Sequence, residues 1–116
     1  MKAKLLNDDR EKTFALIYEA GDEVLTGLKA FATEHKPRSA RFTAIGAFSN
    51  AVLAYFDWEK KEYQELPVTE QVEVLVLTGD IAWKGDGEPV VHAHVVVGRS
   101  DGSTRGGHLM RAHVRP

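Results

Sequence analysis

Residues 91–97, Val-His-Ala-His-Val-Val-Val, constrain this chain more than any other stretch. In a β-strand, side chains at i and i+2 share a face. Val91, Ala93, Val95 and Val97 therefore point one way, and His92, His94 and Val96 the other. The small apolar set must pack on a core, which leaves two imidazoles on the opposite face. The following residues, Arg-Ser-Asp-Gly-Ser-Thr-Arg-Gly-Gly-His-Leu at 99–109, turn the chain back. A three-residue loop at Ser100-Asp101-Gly102 sets Arg99 opposite Ser103 and His94 opposite His108, with both rings on one face. Gly102 suits the left-handed position that closes such a loop. A two- or four-residue loop sends His108 to the other face, and a bulge at Gly106-Gly107 resets the register. At this level the alternatives stay open.

The remainder of the 116 residues reads as one domain spanning 1–116. FALIYEA at 14–20 has the alternation of a strand, with Phe14, Leu16 and Tyr18 on one face. A helix is predicted over roughly 23–35, with Asp22 as N-cap and Val24, Leu28, Phe31 and His35 along its stripe. Pro37 closes it, and His35 reads as a helix-end cation favoured by the dipole. ARFTAIGAF at 40–48 and AVLAYFDW at 51–58 predict two strands flanking a tight turn at Ser49-Asn50. EYQEL at 62–66 then returns antiparallel, and QVEVLVLTGDIAW at 71–83 predicts a well-buried strand. One main helix against a mostly antiparallel sheet is an α+β fold.

The chain has no cysteine, so any metal site must use His, Asp or Glu. Three neutral imidazoles on adjacent strands suit Zn²⁺ or another imidazole-favouring divalent transition metal, with a fourth position open to water or substrate. The plainer alternative is a pair of half-buried histidines bonded to carbonyls or carboxylates. His113 differs in parity from His108 and reads as a structural or surface residue. Charge is uneven: residues 1–88 carry 11 Lys/Arg against 16 Asp/Glu, whereas residues 89–116 carry four arginines against Asp101 alone. Arg99 and Arg105 are thus candidates for holding a small anionic ligand, or simply partners of nearby carboxylates. No residue reads as a general base, since Asp101 sits in the turn and Glu88 upstream of the strand; whether the chain is an enzyme is open.

A net charge of −2 argues against a general nucleic-acid binder. The longest apolar runs, such as VLVL at 74–77, are too short to span a membrane. The opening MKAKLLNDDREK holds no sustained apolar segment of a secretory signal, so a cytoplasmic location is expected.

GEPVVHAHVVVGRSDGSTRGGHL at 87–109 resembles the signature of the plant and prokaryote conserved (PPC) domain, which occurs beside AT-hooks in plant nuclear proteins. YEAGDEVLTGL, ARFTAIGAFSNAVLAYFD and VEVLVLTGDIA follow the family's order upstream, so the resemblance covers nearly the whole chain. It implies an α+β fold assembling as a homotrimer, with a metal, usually zinc, bound by the residues that stand here as His92, His94 and His108, near a subunit interface. It also brings a predicted DNA-binding label, which an Arg-Gly-Arg AT-hook core would support and which this sequence lacks. Family members usually continue past the position of Val114-Arg115-Pro116 into a further strand, so an exposed sheet edge is expected.

Three functions follow. The chain is a metal-binding trimer acting on or sensing a small anion, a DNA-associated regulatory or architectural trimer, or an assembly module whose histidines only pack. The first accounts for the most residues.

Overall fold

The computed structural model describes residues 1–116, and the hairpin that carries the histidines has the three-residue loop at Ser100-Asp101-Gly102. Seven strands and one helix follow in order: β1 (Lys2–Asp8), β2 (Lys12–Ile17), α1 (Val24–His35), β3 (Ala40–Asp57), β4 (Glu62–Val68), β5 (Val72–Trp83), β6 (Pro89–Gly98) and β7 (Thr104–Val114). Strands β1 and β2 form a separate antiparallel ribbon. The main sheet runs β4-β3-β5-β6-β7, antiparallel throughout, and β3 also pairs with β7. That pairing closes β3, β5, β6 and β7 into a ring. The architecture is α+β, one helix on a mostly antiparallel sheet.

The long strand β3 corrects the expected turn at Ser49-Asn50. Its first half pairs with β5 and its second half with β4, while β7 runs along the other edge. Partners on both edges hold the backbone extended through residues that favour turns in isolation. Only a register irregularity between Phe48 and Asn50 remains. Ser49 Oγ donates to the His113 carbonyl there.

The helix start also differs from expectation. Glu23, not Asp22, is the N-cap: its carboxylate accepts from the Leu25 and Thr26 N–H groups at 3.3 and 2.6 Å. Asp22 is engaged one residue earlier, accepting from the Glu19 N–H and pairing with the terminal ammonium of Met1. Strand β1 was not foreseen, because its lysines and Asn/Asp carry no apolar alternation and every residue of it is exposed.

Val24, Leu28, Phe31 and Ala32 form the buried stripe of α1, which packs on β6 and β7. Val24 and Leu28 join Leu53, Leu77, Ala93, Val95, Val97 and Leu109 in the core. Burying each Val or Leu contributes roughly 1.5–3 kcal/mol against exposure. His35 stacks on Phe31 with ring centroids 4.5 Å apart and tilts against Phe14, an aromatic role at the helix end. No helix is long and apolar enough to cross a membrane. The helix covers one face of the sheet, and the imidazoles of β6 stand on the other.

Candidate metal centre

The turn between β6 and β7 fixes the register of the site. The Arg99 N–H donates to the Ser103 carbonyl at 2.8 Å, and the Gly102 N–H to the Arg99 carbonyl at 2.9 Å. Gly102 has φ of +82°, the left-handed conformation a side chain would strain. The Asp101 carboxylate accepts from the Ser103 N–H and hydroxyl, and these bonds hold it below the usual carboxylate range. Asp101 is therefore part of the turn.

With this loop, His94 lies directly opposite His108, and no bulge intervenes at Gly106-Gly107. Gly107 serves a different need: a Cβ there would come within 2.8 Å of the Ala54 carbonyl oxygen on β3. The glycine lets β7 approach β3 closely, and in the next position β7 pairs His108 with Ala54. Ring centroids of His92 and His94 are 4.8 Å apart, those of His92 and His108 4.8 Å, and those of His94 and His108 5.3 Å.

Each of the three histidines offers a ring nitrogen, and these nitrogens lie within 4.8 Å of one another. A tetrahedral ion with bonds of ~2.0–2.1 Å needs nitrogens roughly 3.3 Å apart, a contraction that small ring rotations supply. Partial burial of His108, reinforced by the charges of His92 and His94, holds its imidazole below the ordinary range. It thus favours the neutral form that ligates metals. The donor chemistry fits zinc and other imidazole-favouring ions rather than calcium or magnesium, which take oxygen ligands. His113 stands apart, with Nδ1 3.2 Å from Asn50 Oδ1.

The two candidate arginines lie elsewhere. Arg99 Nε donates to Glu70 Oε1 at 2.6 Å, so it is a carboxylate partner at the base of the turn. Arg105 pairs in register with Val97, whose side chain is fully buried on the helix-covered face. Opposed residues of an antiparallel pair share a face, so Arg105 leaves the sheet on the side away from the histidines. Neither lines the cavity at the histidines. On the histidine face itself, a row across three strands sets Arg41 of β3 opposite Asp80 of β5, and Asp80 opposite His92.

That cavity, about 660 Å³, is walled by groups the hairpin pattern gives no hint of. Tyr63 of β4 tilts against His108 with centroids 4.9 Å apart. It meets Phe56, its cross-strand partner on β3, at 5.1 Å, and Phe56 meets Trp58 edge-on at 5.0 Å. Val76 and Val96, paired across β5 and β6, form the opposite flank. The alternation of Ala54 and Phe56 on the face of His108 would reveal the wall only once the register of β3 with β7 and β4 is known.

The fold recurs in solved structures. A plant- and prokaryote-conserved (PPC) protein of Pyrococcus horikoshii is 39% identical with a TM-score of 0.80, the match covering 84% of this chain and 67% of that one. A metal-containing protein of Archaeoglobus fulgidus is 37% identical with a TM-score of 0.77, over 84% of this chain and 68% of that one. A Ralstonia eutropha protein bearing a provisional DNA-binding name is 36% identical with a TM-score of 0.77, over 82% of this chain and 65% of that one. The chain thus spans about two thirds of the length of these three structures. No curated protein matches it in sequence. The model of the Plants and Prokaryotes Conserved (PCC) domain matches residues 7–116, and the chain belongs to that family.

Proposed function

We propose that this PCC domain is a cytoplasmic, metal-binding homotrimer. His92, His94 and His108 hold a divalent transition ion, zinc first, whose open side binds or acts on a small anionic ligand. The observation that carries this is the convergence of three ring nitrogens within 4.8 Å on one face of the sheet. Crowding three imidazoles disfavours protonating them together, and a shared cation turns that crowding into binding. When bound, the ion supplies Lewis acidity and an attraction for anions. The protein's own part is to hold the three rings from two strands locked by one turn, and to keep His108 partly out of water. The metal-containing relative from Archaeoglobus supports the reading.

The homotrimer reading draws support from an apolar side chain left open on the histidine face outside the cavity: Ile45 is 85% exposed. Apolar surface of this kind marks interaction sites in soluble proteins.

Metal content of purified, untagged protein, measured by mass spectrometry beside His108→Ala, tests the proposal. About one transition metal per chain, lost in the variant, is the expected result for a site of three ligands. Absence of metal from the native chain even after incubation with Zn²⁺ would sink it. A DNA-associated trimer is the second reading, favoured by the provisional name of the Ralstonia neighbour. Retention on DNA that falls steeply with salt would move that reading ahead.

A further inference from the structure

We infer that the ligand of this site is a planar aromatic carboxylate, a ring bearing a single negative charge, and not phosphate or another compact polyanion. This rests on the metal-centre reading above and goes beyond it by naming what occupies the open side.

The rings that border the histidines form a continuous wall. From His108 the sequence is Tyr63, Phe56 and Trp58, with successive centroids 4.9, 5.1 and 5.0 Å apart. Folding accounts for buried rings, but Trp58 is 74% exposed and Tyr63 45%. Leaving such large apolar side chains in water is unfavourable, and their placement in one line leading away from the metal ligands calls for an occupant. The two flanks differ in kind. Aromatic faces stand on one side, and the branched Val76 and Val96 stand on the other. A flat ring fits between such flanks, with stacking on one face and methyl contacts on the other.

Charge selects the same class. No Lys or Arg lines the cavity; Lys61 Nζ stands over the Trp58 ring at its end, 5.9 Å from the centroid, and Arg41 lies beyond Asp80 in the row of His92. Arg99 is tied to Glu70, Arg111 lies 3.8 Å from Glu65, and Arg105 leaves the sheet on the other face. A phosphate brought here would be stripped of water with no guanidinium fork to receive its oxygens. A monocarboxylate needs one cationic contact, which a metal at the histidines provides, while its ring rests on the wall. The volume of about 660 Å³ lies in the usual range for small-molecule sites and leaves room for one or two fused rings.

The test uses intact protein loaded with Co²⁺, whose visible absorption changes when an anion enters its coordination sphere. Metal stoichiometry is measured first, and the loaded protein is then titrated with 2-naphthoate, acetate and inorganic phosphate. The expected result is naphthoate binding at least ~tenfold tighter than acetate, with phosphate the weakest. Trp58→Ala and Tyr63→Leu should each narrow the naphthoate–acetate gap several-fold while keeping the full metal content. Trp58 is exposed enough for its removal to leave the fold intact. Equal affinities for naphthoate and acetate, or a preference for phosphate, overturn the inference and leave the metal centre standing. A Trp58→Ala variant that keeps the preference but changes its assembly state also overturns it, because the wall would then be a contact between copies. Failure to load Co²⁺ at all overturns the metal reading itself, and is seen before any acid is added.

Discussion

His94 and His108 face each other directly across β6 and β7, and the residue beside His108, Gly107, sits where any Cβ would meet the Ala54 carbonyl oxygen at 2.8 Å. The position of one ligand thus depends on the closeness of a third strand. Backbone cannot yield as a flexible side chain can, so Gly107→Ala must push β7 away from β3. The expected cost is about 1–3 kcal/mol, the usual range for overpacking a filled interior. Because His108 moves with β7, metal affinity should fall along with the melting temperature. Gly106→Ala is the control: a Cβ there meets its nearest atom at 3.3 Å, and that variant should retain more of both. Equal behaviour of the two variants in calorimetry and zinc titration would refute the assignment.

Binding of a metal to the folded chain alone must raise its stability through linkage. At a free Zn²⁺ concentration a hundredfold above the dissociation constant, the gain is about 2.7 kcal/mol. The native protein should therefore melt several degrees higher with zinc than with chelator. His94→Ala should show no such difference, while His113→Ala, which removes only the contact with Asn50, should keep it. Differential scanning calorimetry of the three proteins, each with and without zinc, checks this.

Legibility of the sequence varied with how local the deciding physics was. The β6–β7 hairpin could be read in part because alternation and Gly102 act within about twenty residues; they offer the three-residue loop as one alternative, and the observed register, with His94 opposite His108, selects it. β3 was misread at Ser49-Asn50 because turn propensity is local, whereas the pairing with β4, β5 and β7 that overrides it comes from far along the chain. The same distance hid the cavity wall. Tyr63 reaches His108 only because β4 pairs with β3 and β3 pairs with β7. Of the two roles the sequence leaves open for the hairpin arginines, Arg99 takes that of carboxylate partner, with Glu70, and Arg105 leaves the sheet on the face away from the histidines. Arg41, far away in the chain, instead shares the histidine face.

Glu23 joins the helix to the sheet. One carboxylate oxygen accepts from the Leu25 N–H and, across the chain, from the Ala112 N–H at 3.1 Å; the other accepts from the Thr26 N–H and hydroxyl. Burial raises its pKa, yet the hydrogen bonds from Thr26, Ala112 and Leu25 outweigh that and hold it below the ordinary value of 4.5. A carboxyl with a depressed folded value stabilises the protein above its unfolded value, and that contribution fades as pH falls through the folded one. Glu23→Ala should cost about 0.5–2 kcal/mol at neutral pH, as loss of an N-cap does. Glu23→Gln, which keeps one oxygen acceptor but loses the charge, should cost less. The gap in melting temperature between native protein and Glu23→Gln should be full at pH 6 and shrink below pH 4.5. A gap independent of pH would mean that the charge on Glu23 contributes nothing.

The bulge of β3 leaves Ile45 pointing away from the core, between Ala44 and Gly46, which pair with the buried Leu77 and Val74. At 85% exposure it stands outside the cavity lining, on the face that no element of the chain covers. A second copy covering this face would remove that apolar surface from water at roughly 25 cal/mol per Å². Light scattering should then report three times the 12.9 kDa chain mass for the native protein. Ile45→Lys places a charge that an apolar contact cannot pair, and it should shift the protein towards monomer without unfolding it, because Ile45 contributes little to the chain's own core. Its circular dichroism should match the native spectrum while its mass falls. A variant that stays trimeric would move the subunit contact away from this face.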